Sequence, residues 1–245
     1  MNNSLITLVT GANKGIGRQI AGQLAALGHT VIIGARSAEA GERTAAELRE
    51  AGGNAIAVVL SVTDPVSVAA AADVVKRRFG RLDALVNNAG ISRSPGAGLE
   101  QQHPGTADVN EVRYVFETNF FGVITVTEAF LPLLRLSDTP RIVNVSSAAG
   151  SLAAVSDPAN SDPIAIGYVP SKTALTSLTL QYSLALKAEG ILVNAVCPGF
   201  VATDLNGFRG TRTPARGAVA AVRMATVPAG GPTGTFSDED GPLPW

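Results

Sequence analysis

The chain has 245 residues, 46% of them hydrophobic and 16% charged, with 26 Gly, 14 Pro and one Cys; this length buries a sizeable core without disulfide or metal staples and excludes disorder over most of it. Nineteen basic side chains against 20 acidic ones give a formal charge of −1, which leaves no electrostatic footprint for nucleic acid or an anionic membrane. The single cysteine, Cys197, excludes an intramolecular disulfide and a Cys-based zinc site and fits a reducing compartment, so a cytoplasmic location is expected.

The N-terminal MNNSLITLVTGANKG carries no export signal, and no apolar run reaches the roughly 20 residues needed to span a bilayer. From there the chain alternates short, β-branched apolar runs with longer stretches of helical spacing. LITLVT (5–10), TVIIGA (30–35), AIAVVL (55–60), DALVN (83–87), RIVNVS (141–146) and ILVNAV (191–196) suit strands buried on both faces of a parallel sheet. Between them, 15–27, 38–51, 65–78, 109–136 and 168–189 have helix lengths. Asp64-Pro65 reads as an N-cap followed by proline at the first helical position, and Gly28, Gly52-Gly53, Gly80 and Gly190 stand where helices stop. Repeated βα alternation implies right-handed crossovers, and the fold class expected is α/β, a Rossmann-type doubly wound parallel sheet forming a single domain over 1–245. Three Gly-, Pro- and Ser-rich loops, 91–107, 150–164 and 198–214, follow strand ends at the edge where open α/β sheets bind ligands.

After the first strand, Thr10-Gly11-Ala12-Asn13-Lys14-Gly15-Ile16-Gly17 carries its helix start inside a glycine cluster. Glycines let the backbone approach a pyrophosphate, and a helix N-terminus offers free N–H groups. The spacing is G-x-x-x-G-x-G rather than G-x-G-x-x-G, and by itself it describes a tight βα turn equally well. NAD sites place a carboxylate about 20 residues later, on the ribose 2′-hydroxyl; here the sequence reads Gly34-Ala35-Arg36. Arg36, with Lys14 as a second cation, suits the 2′-phosphate of NADP(H), the alternative being a solvated arginine at a strand end.

Tyr168 and Lys172, in GYVPSKTAL, stand four apart at a helix start, with Pro170 allowed only in a first turn. An ammonium near a phenol favours the phenolate, which suits general acid–base work. Ser146-Ser147 end a strand, where a hydroxyl can bond a substrate carbonyl. Each of these has a bland alternative as a surface pair or a turn former. His29 and His103 lack a third ligand, so no metal site is expected. Cys197 reads as a small buried residue, Met224 as core, and Trp245 as a packing residue.

Taken together, TGANKGIG, LVNNAG (85–90), Asn119 in ETNFFG, Ser147 in VNVSSAAG, Tyr168-x-x-x-Lys172 and PGFVATDL (198–205) resemble, in this order and along essentially the whole chain, the short-chain dehydrogenase/reductase family of the classical type, and most of all its carbonyl reductases and their bacterial relatives. The resemblance implies that Tyr168 donates a proton to the substrate carbonyl while NADPH supplies hydride. Lys172 would lower the tyrosine pKa and bind the nicotinamide ribose, Ser147 would orient and polarise the carbonyl, and Asn119 would hold a relay water. Gly11, Asn13, Lys14, Gly15, Ile16, Gly17 and Arg36 would bind the cofactor phosphates. Asn88, Ala89 and Gly90 would lie along the adenosine, and Pro198, Gly199, Val201 and Thr203 along the nicotinamide. Ser61-Val62 stands where the family has Asp-Val against the adenine, so Ser61 brings a hydroxyl but no charge. The interval from Ser147 to Tyr168, 168 − 147 = 21 residues, includes DPANSDPIAI, expected to overhang the substrate pocket, and leaves both a homo-oligomer and a monomer open.

The function expected is NADPH-dependent reduction of a ketone or aldehyde, reversible toward alcohol oxidation. Ala97, Leu152, Ala153, Phe200 and Phe208 suggest an apolar pocket, hence a small hydrophobic carbonyl or alcohol substrate, and 203–212 reads as a mobile lid. Two other functions compete: a non-catalytic NADP-sensing protein, which would lose the tyrosine or lysine, and an extended-type epimerase or dehydratase, which would need a C-terminal substrate domain that the remaining length does not supply.

Overall fold

The computed structural model describes residues 4–159 and 164–245. Seven parallel strands form one sheet in the order β3-β2-β1-β4-β5-β6-β7: β1 Ile6–Thr10, β2 Thr30–Ala35, β3 Asn54–Val59, β4 Ala84–Asn87, β5 Arg141–Val145, β6 Leu192–Val196 and β7 Phe236–Ser237. The helices are α1 Gly15–Ala26, α2 Ala38–Glu50, α3 Pro65–Phe79, α4 Val109–Phe116, α5 Gly122–Leu134, α6 Leu152–Val155, α7 Tyr168–Ala185 and α8 Pro214–Ala225. This is the Rossmann-type doubly wound sheet that the βα alternation predicts.

Side chains alternate across the strands, so each continuous apolar run feeds two cores. Val9, Val31, Ile33, Val86 and Val143 pack toward Ile20, Leu24 and Ala221 on one face. Leu8, Ile32, Leu85, Ile142 and Val193 pack toward Val75, Val126, Phe130 and Leu134 on the other. Helix boundaries follow local chemistry. The Asp64 carboxylate accepts the Val66 N–H at 3.0 Å, with Pro65 next in the chain, and Gly80 closes the same helix at φ 74°.

Two parts of the sequence reading change. The stretch read as one helix over 109–136 is α4 and α5 joined by a π turn at Glu117–Phe121, a local widening often found at functional sites. Beyond β6, the sequence marks neither α8 nor the two-residue β7: α8 is short and Ala-rich, and β7 lies in a Gly- and Pro-rich tail that reads as loop. The order of strands reverses between β1 and β4, and the crevice of an open α/β sheet lies beyond the strand ends at such a point.

Candidate active site

At the switch point the ends of β1 and β4 are bonded to each other. The Thr10 hydroxyl accepts the N–H groups of Asn88 and Ala89, both at 3.0 Å, and Asn88 Nδ2 donates to the Thr10 carbonyl at 2.8 Å. This fixes the floor of the crevice under the glycine turn. Gly11 and Gly15 have φ of 62° and 54°, and a Cβ on Gly17 would collide with the Gly11 carbonyl oxygen and stand 2.5 Å from Asn88 Nδ2. Only glycine closes the turn this tightly. Helix α1 then starts with no side-chain cap and no acidic residue in its first turn, leaving its N–H groups and positive dipole end for an anion.

The cation assignments divide. Arg36 is exposed just beyond β2, and no ion pair forms on it among the described residues. Lys14 forms an ion pair with Asp204 of the loop after β6, both side chains being exposed. Asn13 offers its carbonyl to the Thr44 hydroxyl at 3.4 Å. At the end of β3, the Ser61 hydroxyl lies 3.4 Å from that of Thr63. Val62 packs against the start of α5, where a Cβ on Gly122 would meet it at 2.9 Å.

Ser147, Asn119 and the Tyr168–Lys172 pair of α7 come from three separate segments and meet at one end of the crevice. Ser147 follows β5, and its hydroxyl is near enough to the Tyr168 phenol to favour the phenolate; its neighbour Ser146 turns away and donates to the Lys172 carbonyl at 3.2 Å, which selects Ser147 from the pair. Tyr168 opens α7, with Pro170 inside the first turn. Lys172 is buried; its Nζ donates to the Val145 carbonyl at 2.9 Å and lies 5.9 Å from the Tyr168 ring centre.

Burial pushes the Tyr168 phenol up to about 12, against the nearby Ser147 hydroxyl that favours the phenolate. Burial also pulls the Lys172 ammonium down to about 8. At Tyr168 desolvation outweighs the nearby Ser147 hydroxyl, while the Lys172 ammonium is directed at a peptide carbonyl. Near pH 7 both groups carry their protons.

Asn119 sits in the π turn and is fully buried. Its Oδ1 accepts the Ile91 N–H at 2.9 Å, and its Nδ2 donates to the Ile91 carbonyl at 2.9 Å and the Ser171 hydroxyl at 3.0 Å. Both amide donors are spent on structure, leaving one oxygen lone pair for the water that the resemblance implies. Gly90 lies beside this group, 3.3 Å from Asn119 Oδ1 and 3.4 Å from Lys172 Nζ as measured from a Cβ built on it. The third member of Asn88-Ala89-Gly90 thus stands beside Asn119 and Lys172.

On the far side, Pro198 and Gly199 (φ 77°) leave β6, Val201 bridges to Arg212, and Thr203 is buried, 3.5 Å from a Cβ built on Gly15. Between α1 and this loop runs an open cleft of about 360 Å³ lined by Lys14, Gly15, Gln19, Thr203, Asp204 and Phe208, among others. Cys197 has more than a packing role: its buried Sγ accepts the N–H groups of Ala148 at 3.1 Å and Gly199 at 3.3 Å, joining the loop after β5 to the loop after β6. Behind the site, Asn87 Nδ2 donates to Asn144 Oδ1 at 2.9 Å, and Asn144 Nδ2 to the Thr179 hydroxyl at 2.9 Å, a buried ladder that anchors α7. Both asparagines lie inside motifs the sequence displays, LVNNAG and VNVSSAAG, yet nothing in the sequence separates them from core strand positions.

Of the residues expected to form an apolar pocket, Phe208 lines the cleft beside α1; Leu152, Ala153, Phe200 and Phe208 are exposed and Ala97 is partly so. The Trp245 carbonyl accepts the Ala153 N–H at 3.0 Å, bringing the C-terminal residue against α6. The segment 157–166, expected to overhang the pocket, includes 160–163, which lie outside the described residues. Among the described residues, no three His, Cys, Asp or Glu side chains gather as a metal site, and no helix is long and apolar enough to cross a membrane.

Residues 5–213 match the sequence model of the short chain dehydrogenases. The chain belongs to the short-chain dehydrogenase/reductase family, of the classical type. It is 36% identical over 282 aligned positions to short-chain dehydrogenase/reductase 1 of Saponaria officinalis, covering 94% of this chain and 92% of that protein. The salutaridine reductase structure from Papaver somniferum superposes with a TM-score of 0.82 at 30% identity, covering 96% of this chain and 99% of that one. The NADPH-bound carbonyl reductase from chicken fatty liver superposes with a TM-score of 0.82 at 29% identity, covering 99% of each. The chain is accordingly an oxidoreductase of carbonyl or alcohol substrates, in a family that binds a nicotinamide cofactor. The glycine cradle that a Cβ would fill, and the uncapped start of α1, fit such a dinucleotide.

Proposed function

We propose that this chain is an NADPH-dependent reductase of small apolar ketones or aldehydes, with Tyr168 as the general acid. The observation that carries the reading is the meeting of Ser147, Tyr168 and Lys172 at the end of a crevice whose other end presents Arg36 in place of a carboxylate. When bound, the cofactor supplies hydride to the carbonyl carbon. Gly11, Asn13, Gly15, Ile16 and Gly17 would hold its pyrophosphate through backbone N–H groups. Arg36 would pair with the 2′-phosphate, since a guanidinium forks onto phosphate oxygens where an NAD enzyme has a carboxylate. That a relative of similar fold carries NADPH supports the same choice.

Ser147 donates a hydrogen bond to the carbonyl oxygen and orients it beside the phenol. Tyr168, its proton held by burial near neutral pH, transfers that proton as negative charge develops on the oxygen. Lys172, held by Val145, stabilises the phenolate left behind and would bond the nicotinamide ribose. Pro198, Gly199, Val201 and Thr203 would shape the nicotinamide pocket, while Asn88, Ala89, Gly90, Ser61 and Val62 would flank the rest of the cofactor. The exposed Leu152, Phe200 and Phe208, in the segments that follow β5 and β6, favour a hydrophobic substrate.

The test is the purified enzyme with NADPH or NADH against aryl ketones, aliphatic ketones, sugars and quinones, followed by the absorbance of the reduced cofactor. NADPH consumption with apolar carbonyl compounds is expected. A preference for NADH, or turnover of sugars alone, would contradict the assignment.

A further inference from the structure

Gln102 ends the short 3-10 turn Leu99–Gln102 in the irregular loop after β4, and its side chain is completely buried, an uncommon place for glutamine. Its Oε1 accepts the backbone N–H of Tyr168 at 2.9 Å. Its Nε2 donates to the Ser92 carbonyl at 2.6 Å and, at 3.4 Å, to the carboxylate of Glu111. Its own carbonyl accepts the Ile166 N–H at 2.9 Å. Glu111, buried on α4, in turn accepts the N–H of Ser94 at 2.8 Å and its hydroxyl at 2.5 Å.

Helix α7 has no side-chain cap from its own N-cap residue, Gly167. The first N–H of the helix, which belongs to Tyr168, is therefore taken by a residue 66 positions earlier. The fit is close. A Cβ on Gly167 would stand 2.7 Å from Gln102 Oε1 and 3.0 Å from its Cδ, although φ at Gly167 is −86°, a value alanine adopts freely. Contact with Gln102, rather than backbone conformation, requires glycine here. The loop that carries Gln102 also reaches the rim of the crevice, where the Ser92 hydroxyl donates to the Leu205 carbonyl at 3.0 Å.

We propose that Gln102 is a positioning residue for Tyr168: its amide oxygen sets where α7 begins, and so where the phenol stands relative to Ser147, while its amide nitrogen ties that placement to the loop 91–107 at the substrate mouth. The inference rests on the reading of Tyr168 as the general acid. A displacement of about 1 Å in a reacting group can cost on the order of 100-fold in rate, so a tether on the first turn of α7 acts on kcat.

Gln102→Met keeps the length of the side chain and removes all three of its hydrogen bonds. The expected result is a kcat for carbonyl reduction lowered roughly 10- to 100-fold, with NADPH affinity, read by fluorescence, close to that of the parent. A purely structural role would lower the melting temperature and leave kcat unchanged where the protein is folded; that result overturns the proposal. Gly167→Ala supplies an independent probe that also decides the matter if Gln102→Met does not fold. It should lower kcat in the parent and add no loss in a Gln102→Ala background, where the clashing atoms are gone, whereas additive losses would contradict the coupling. Tyr168→Phe separates the two readings. Full turnover in that variant removes the acid assignment itself, while an inactive Tyr168→Phe beside a fully active Gln102→Met removes only the role of Gln102.

Discussion

Replacing Asn119 by aspartate changes one NH2 group for an oxygen, yet in this site it should be severe. Nδ2 of Asn119 donates to the Ile91 carbonyl and to the Ser171 hydroxyl, and the single proton of Ser171 is already given to the Tyr168 carbonyl at 2.7 Å. An ionised carboxylate in its place would therefore face two acceptors that have no proton to offer, in a position with no exposed surface. A buried polar group deprived of its partner costs about 1–3 kcal/mol, so two such groups put the loss at roughly 2–6 kcal/mol. For a chain of this size each kcal/mol lowers the melting temperature by about 2–4 °C. Protonation restores one donor, so the folded state holds that proton more tightly than the unfolded chain, and the deficit grows as pH rises above the ordinary aspartate range. Thermal unfolding of both proteins between pH 5 and pH 8 reads this directly. The account predicts a deficit of at least about 4 °C at pH 8 that shrinks toward pH 5. A variant that melts with the parent at pH 8, or whose deficit ignores pH, would refute the hydrogen-bond assignment.

Arg36→Asp should weaken NADPH binding roughly 10- to 100-fold, the range of a charge-assisted hydrogen bond lost, and leave NADH affinity nearly unchanged; equal losses for the two cofactors in a fluorescence titration would remove the phosphate contact. Lys172 is lowered to about 8 by burial from an ordinary value of 10.5, so the folded state holds fewer protons than the unfolded chain between these values. Its burial therefore destabilises the fold fully below about pH 8, and the deficit is relieved as pH rises toward 10.5. Relative to Lys172→Met, the parent should gain stability across that window in denaturant melts, and a pH-independent difference would contradict the burial argument. Because Tyr168 keeps its proton up to about pH 12, alcohol oxidation by the chain should rise with pH while carbonyl reduction holds near neutrality. Rate profiles in both directions check this, and an oxidation rate that falls above pH 8 would oppose it.

The sequence exposes the sheet because each buried strand is a short Val- and Ile-rich run and each helix has a chemical start or stop, as at Asp64-Pro65 and Gly80. Beyond β6 that legibility ends: β7 is two residues long and is held by neighbours rather than by its own composition. The break between α4 and α5 is also hidden, since a π turn leaves the apolar spacing almost intact. Of the site, the glycine turn and the Tyr168–Lys172 pair are readable because spacing alone brings them together. Gln102, Cys197, Asn87 and Asn144 act through contacts between residues far apart in the chain, and no local pattern marks them. The ion pair between Lys14 and Asp204, 190 residues apart, is equally unmarked by any local pattern.

The central claim is that Tyr168 delivers the proton in a reaction whose hydride comes from the cofactor. The measurement that tests it most directly is single-turnover NADPH oxidation with a reactive ketone, made on the parent and on Tyr168→Phe alongside the NADPH dissociation constant of each. Loss of general acid catalysis predicts a rate lower by about 100- to 10,000-fold with cofactor affinity preserved. An unchanged rate in Tyr168→Phe would contradict the account.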